Sequence, residues 1–285
     1  MSLAIGKQLT AEQRLRKATT DIIGHPDFVA LTGVLMVGSK KIDDNVATAC
    51  TNGRDEIYGR EFVDGLSDAE FRFVVLHECY HKMYKHLTTW QHLHKVDAQR
   101  ANMACDFVIN QMIVDSDPNA IEVALPKCGL LDPKYKGMDS GAVYRDLKKQ
   151  YDNGSVHVKT VGDQEGRDIP VEDGDGMGGF DSHDWESAEG MSNEEREKLA
   201  RDIDQALRQG AILAGKMGGN VDRAVQEALE AKVDWREALR EFVNSFCADK
   251  DESTWRRPSR RWIDQDVYMP SVIGESVGRI VLAID

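Results

Sequence analysis

Apolar side chains at Leu15, Ala18, Ile22 and Ile23 recur near helical spacing behind Thr10, a residue type that caps helices, so residues 10–24 predict an amphipathic helix. Past Pro26 the pattern changes. Phe28 to Val37 is an apolar run rich in strand formers, followed by Val46-Ala-Thr-Ala-Cys-Thr51 and then Asn52-Gly53, the dipeptide that best suits a tight hairpin turn. These features predict a small sheet within residues 28–60. Ser67-Asp-Ala-Glu70 has the form of a capping box, in which the serine oxygen and the glutamate side chain satisfy the orphan amides of a helix start. The helix expected from there carries Phe71, Val74, Val75, Leu76, Cys79, Tyr80 and Met83. It is apolar almost all round, as a helix buried in mid-domain should be. A second such helix is expected from about Ala98 to Val114, with Ala101, Ala104, Cys105, Val108, Ile109 and Ile113 along it.

Between 151 and 192 periodicity gives way to Gly, Asp, Ser and His, including Glu172-Asp-Gly-Asp-Gly-Met-Gly-Gly179, the composition of a long flexible loop. Helical patterns resume over 193–216 and 223–246. Pro258 and Pro270 then punctuate an extended segment, and Gly278-Arg-Ile-Val-Leu-Ala-Ile-Asp285 reads as a strand. An apolar strand ending in Asp ordinarily leads on to a loop and helix, so the chain is expected to stop at a domain border.

Composition narrows the class. With 41% hydrophobic residues in 285 the chain can bury a sizeable core, and no stretch approaches the roughly 18 consecutive apolar residues of a membrane helix. Five cysteines with no CxxC pair suit reduced thiols, and the start turns charged before a signal-peptide core develops; both favour the cytoplasm. A formal charge of −13 disfavours nucleic acid as a partner, although Arg256-Arg-Pro-Ser-Arg-Arg261, flanked by Trp255 and Trp262, runs against that balance.

The chemistry lies in His77-Glu78-Cys79-Tyr80-His81. Histidines four apart on a helix stand roughly 40° apart on one face and can converge on one ion, with Glu78 beside them. Zinc favours imidazole nitrogen, and a catalytic site takes three protein ligands plus a water, from which Glu78 would remove a proton. For the third ligand Asp106 is the first choice, because a carboxylate in the apolar stretch Ala101–Asn110 is costly to bury unless paired or bound to a cation. His183, beside Trp185 in the Gly/Asp-rich loop, is the alternative. His86, nine positions after His77, would face away from the ion on a continuing helix and support the fold. His92 and His94 are expected in solvent, and Cys79 and Cys105 in the core. Asn110, a turn after Asp106, either orients a ligand or caps local backbone.

Taken with Ala104-Cys-Asp-Phe-Val-Ile-Asn110, Ser182-His-Asp-Trp185, Val233-Asp-Trp-Arg236, Thr254-Trp-Arg-Arg-Pro-Ser-Arg-Arg261 and Ile280–Asp285, this motif resembles the bacterial and phage family that pairs a metallopeptidase domain with a C-terminal von Willebrand factor A-like domain. The resemblance implies an α+β, zincin-like fold: a small mixed sheet, a buried HExxH helix, further helices and a long Gly/Asp-rich loop. It implies a core over 1–150, the loop over 151–192, a helical extension over 193–270, and the start of a truncated A-like domain over 271–285. Asp285 would open that domain's D-x-S-x-S metal site and should hold Mg²⁺ poorly alone. The function expected is zinc-dependent hydrolysis of a peptide or protein, with His77, His81 and Asp106 on Zn²⁺, Glu78 as general base and the 151–190 loop as a gate. The alternative is a non-catalytic, zinc-stabilised assembly protein whose A-like domain recruits a partner such as an ATPase.

Overall fold

The computed structural model describes residues 9–127, 129–151, 155–158, 167–170, 185, 190–221, 223–229, 252–258 and 270–273. The chain divides into two compact units, Met1–Glu230 and Ala231–Asp285.

In the first unit, α1 (Ala11–Gly24) starts in a complete capping box between Thr10 and Gln13 and buries Leu15, Ala18 and Ile22. The apolar run that follows is helical, not extended: a 3₁₀ turn over Val29–Leu31 leads into α2, Thr32–Leu35. A short apolar run bears no periodicity that separates a buried strand from a buried helix, and here Val29, Ala30, Leu31, Val34 and Leu35 are all buried. The sheet is confined to β1 (Lys40–Asp43), β2 (Ala49–Thr51) and β3 (Glu56–Gly59), in the order β1-β3-β2. It is mixed, since β3 runs parallel to β1 and antiparallel to β2. The expected hairpin at Asn52-Gly53 joins β2 to β3. Gly53 takes a φ of 89°, and Asn52 Oδ1 accepts from the amides of Arg54 and Asp55 at 2.9 and 2.8 Å.

After α3 (Arg60–Gly65), the Ser67/Glu70 capping box starts α4, Asp68–Met83, in which every residue from Phe73 to Met83 is buried. Two short helices, α5 (His86–Thr89) and α6 (Gln91–His94), lead to α7 (Ala98–Ser116), which Asp97 caps; α8 (Ser140–Tyr151) packs on α7. Within the stretch expected to be loop, β4 (Ser155–Val158) and β5 (Arg167–Pro170) pair antiparallel. Then come α9 (Asn193–Met217), with its own capping box at Ser192 and Glu195, and α10, Arg223–Leu229. In the second unit β6 (Glu252–Pro258) pairs antiparallel with β7 (Pro270–Ile273). The rest of the helix expected over 223–246 and the strand expected over 278–285 lie outside the described residues. Among those described, no helix is long and apolar enough to cross a membrane.

Glycines let α9 lie directly on the segment preceding the sheet. A Cβ on Gly33 would come 1.8 Å from the Ala206 carbonyl oxygen, and one on Gly210 would come 2.0 Å from that of Ala30. Both obstacles are backbone, so neither helix can yield by a rotamer change. Gly210→Ala gains about 1 kcal/mol in helix propensity and is nonetheless expected to lower stability by about 1–3 kcal/mol, read as a lower urea midpoint at unchanged slope.

Candidate metal centre

Helical spacing on α4 sets His77 and His81 on one face, and α7, packed against α4, delivers Asp106 to the same place. One donor atom from each of these three buried residues lies within 4.8 Å of the other two. The two Nε2 atoms are 2.9 Å apart, and Asp106 Oδ1 is 3.6 Å from that of His77 and 3.4 Å from that of His81. Ligands about 2.0–2.1 Å from a common tetrahedral centre would stand about 3.3 Å apart, so the donor triangle has the size a zinc-like cation requires.

The outer nitrogens of both imidazoles are also engaged. Asn110 Nδ2 donates to the Leu130 carbonyl at 2.9 Å, which turns Oδ1 toward His77 Nδ1, also at 2.9 Å. An amide oxygen only accepts, so His77 carries its proton on Nδ1 and presents a bare Nε2 to the centre. Asn110 thus takes the orienting role of its two expected ones. His81 Nδ1 meets His86 Nδ1 at 3.3 Å. This corrects the expectation that His86 faces away. That expectation required one uninterrupted helix, whereas α4 ends at Met83 and Lys85 adopts a left-handed backbone (φ 54°) that turns His86 back behind His81.

Residues 10–273 match the model of a protein family described as "Putative metallopeptidase domain". The chain belongs to that family. No curated protein and no solved structure matches the chain. A buried His/His/carboxylate group within a metallopeptidase domain is consistent with a metal-dependent peptidase.

Glu78 of this metallopeptidase domain is fully buried on α4, beside His77. Behind it lies a charged cluster that no short-range pattern in the sequence marks. Glu56 on β3 accepts from Lys82 Nζ at 2.5 Å, is paired with Lys40 Nζ at 3.2 Å, and accepts from the Tyr58 hydroxyl at 2.5 Å; Lys82 also donates to the Val37 carbonyl at 2.9 Å. Burial first, then the charges of Glu56 and Glu78, push the Tyr58 phenol well above its ordinary range, so it remains a donor. Cys79 and Cys105 are core residues as expected, with burial raising the Cys79 thiol to about 12.

His183 lies outside the described residues. Trp185, two positions on, is buried, and its Nε1–H donates to Asn102 Oδ1 at 2.6 Å, one turn before Asp106 on α7. It stacks on His94 with centroids 4.3 Å apart, so that histidine is covered by an aromatic ring where solvent was expected.

Proposed function

We propose that the chain is a zinc-dependent peptidase in which His77, His81 and Asp106 hold the metal and Glu78 is the general base. The observation that carries this is the convergence of two Nε2 atoms and one carboxylate oxygen, with both outer Nδ1 atoms occupied. Two imidazoles and a carboxylate suit zinc among the common divalent ions. Held there, zinc would polarise a scissile carbonyl and bring the pKa of a water to about 7. The protein's own residues do the rest. Asn110 keeps the His77 Nε2 lone pair on the centre, and Asp106 adds the negative charge that favours a cation. Glu78 takes a proton from the attacking water and returns it to the departing amine.

A second proposal follows from burial: His77, Glu78 and His81 are 0% exposed and Asp106 is 2% exposed. Structural zinc sites are closed, whereas catalytic ones keep a position open, so a zinc-stabilised assembly protein also fits. A peptidase built this way must uncover the centre before a peptide reaches Glu78. The zincin-like character of the mixed sheet and capped helix, the loop over 151–190 as a gate, His183 as alternative ligand, a cytoplasmic location and a partner-recruiting A-like domain from residue 271 belong to the same proposal and rest on sequence pattern and the family resemblance.

Zinc per chain, measured by elemental analysis on protein purified without added metal, tests the centre. About one equivalent is expected in wild type, lost in His81→Ala and in Asp106→Ala. Wild type that holds none and takes up none on dialysis against Zn²⁺ overturns both proposals.

A further inference from the structure

The turn after α4 places an unusual partner behind one of the two histidines. Metal-binding imidazoles ordinarily donate their outer N–H to a carboxylate, a carbonyl or water. At His81 that position is held by another imidazole, His86, whose Nδ1 is 3.3 Å away and whose ring meets that of His81 edge-on, with centroids 5.0 Å apart. His86 is itself fixed. It is 3% exposed, it stacks on Tyr84 at 5.5 Å with 16° between the planes, and the Tyr84 hydroxyl reaches Met112 Sδ on α7 at 3.3 Å.

The backbone that delivers it is equally specific. Lys85 has a left-handed conformation that side chains other than glycine seldom adopt, and its Nζ is tied to Asp204 Oδ1 of α9 at 2.6 Å. A helix continuing past Met83 would carry residue 86 to the far side. The turn therefore does more than end α4: it returns an imidazole to the outer edge of His81.

We infer that His86 is a positioning residue for the metal centre, a neutral acceptor that holds His81 with its proton on Nδ1 and its bare Nε2 toward His77 and Asp106. This rests on the proposed metal centre. With the His81 Nδ1–H donating, His86 Nδ1 presents its lone pair and carries its own proton on Nε2. Asn110 and His86 then perform one task for the two histidines from opposite sides. Without an acceptor at 86, His81 is free to place its proton on Nε2 and to rotate, and both changes withdraw a donor from the ion.

Zn²⁺ affinity, measured by competition with a chromophoric chelator in the full chain, tests this in wild type, His86→Leu, His86→Asn and His81→Ala. His86→Leu keeps apolar volume and removes the acceptor, whereas the amide introduced by His86→Asn offers an oxygen near the position of Nδ1. Binding is expected to weaken about 10–100-fold in His86→Leu and to recover to within about threefold of wild type in His86→Asn. Any fall in metal-free melting temperature should be no smaller in His86→Asn than in His86→Leu, so that the recovery of affinity in His86→Asn reports the acceptor, whereas a merely structural role for His86 would make affinity follow stability. Wild-type affinity in His86→Leu, or equal losses in His86→Leu and His86→Asn, overturns the inference while leaving the metal centre intact. Loss of all binding in His86→Leu, as in His81→Ala, overturns it by making His86 a ligand. Absence of binding in wild type removes the metal centre and this inference with it.

Discussion

Glu78→Gln is expected to lower peptide hydrolysis by about 10²–10⁴-fold, which is about 3–5 kcal/mol of transition-state stabilisation, while zinc content stays at wild-type level. The substitution is close to isosteric and changes one property: a carboxylate that accepts and returns a proton becomes an amide that does neither. Glu78 is not among the three converging donors, so the ion has no cause to leave. The near-isosteric change keeps the volume buried on α4, so the fold is expected to hold. That pattern of lost turnover, retained zinc and retained fold separates chemistry from structure. Initial rates on a quenched peptide library, with elemental analysis of the same samples, measure it. Undiminished hydrolysis in Glu78→Gln would remove Glu78 from the mechanism. A wild type that binds zinc yet cleaves nothing, even once the centre is uncovered by truncation or a partner, would leave the assembly role.

The parts of this site legible in the sequence were those set by short-range rules. Ser67 and Glu70 announce the start of α4 three residues apart, and the spacing of His77 and His81 alone puts them on one face. Asp106 was legible for a different reason: a carboxylate in an apolar helix needs a partner. The same argument does not reach Lys82, which is fully buried but stands among Glu78, His81, Lys85 and His86 in the sequence, so nothing there marks the Glu56 cluster. His86 was not legible, since nothing in Tyr84-Lys85-His86 marks a left-handed lysine, and the ion pair that Lys85 makes is with Asp204, more than a hundred residues away. Residues 28–37 are helical where a strand was expected because a short, mostly buried apolar run carries no periodicity that separates the two. Trp185 gave only the weak signal of an aromatic residue in a Gly/Asp-rich stretch.

The other large effect is expected where α4 meets the sheet, at Glu56→Gln, which should cost about 3–5 kcal/mol of stability. Glu56 and Lys82 are both fully buried, and the Glu56 carboxylate answers Lys82, Lys40 and the Tyr58 hydroxyl together. Neutralising it strands two ammonium groups, one of them wholly out of water, against an amide. Lys82→Met should cost clearly less, because it removes one cation, fills the space with apolar volume and leaves Glu56 paired with Lys40 and bonded to Tyr58. The order of the two losses matters more than either value, since simple packing damage would not favour one over the other. Urea midpoints on metal-free protein give that order directly, and a cost below about 1 kcal/mol in Glu56→Gln would mean that the cluster is solvated or neutral in solution. Lys82 directly follows His81, and Glu56 belongs to the central strand of the sheet, so this cluster also sets how α4 seats on β3. Glu56→Gln should therefore weaken zinc binding as well as the fold, although Glu56 is not one of the three donors.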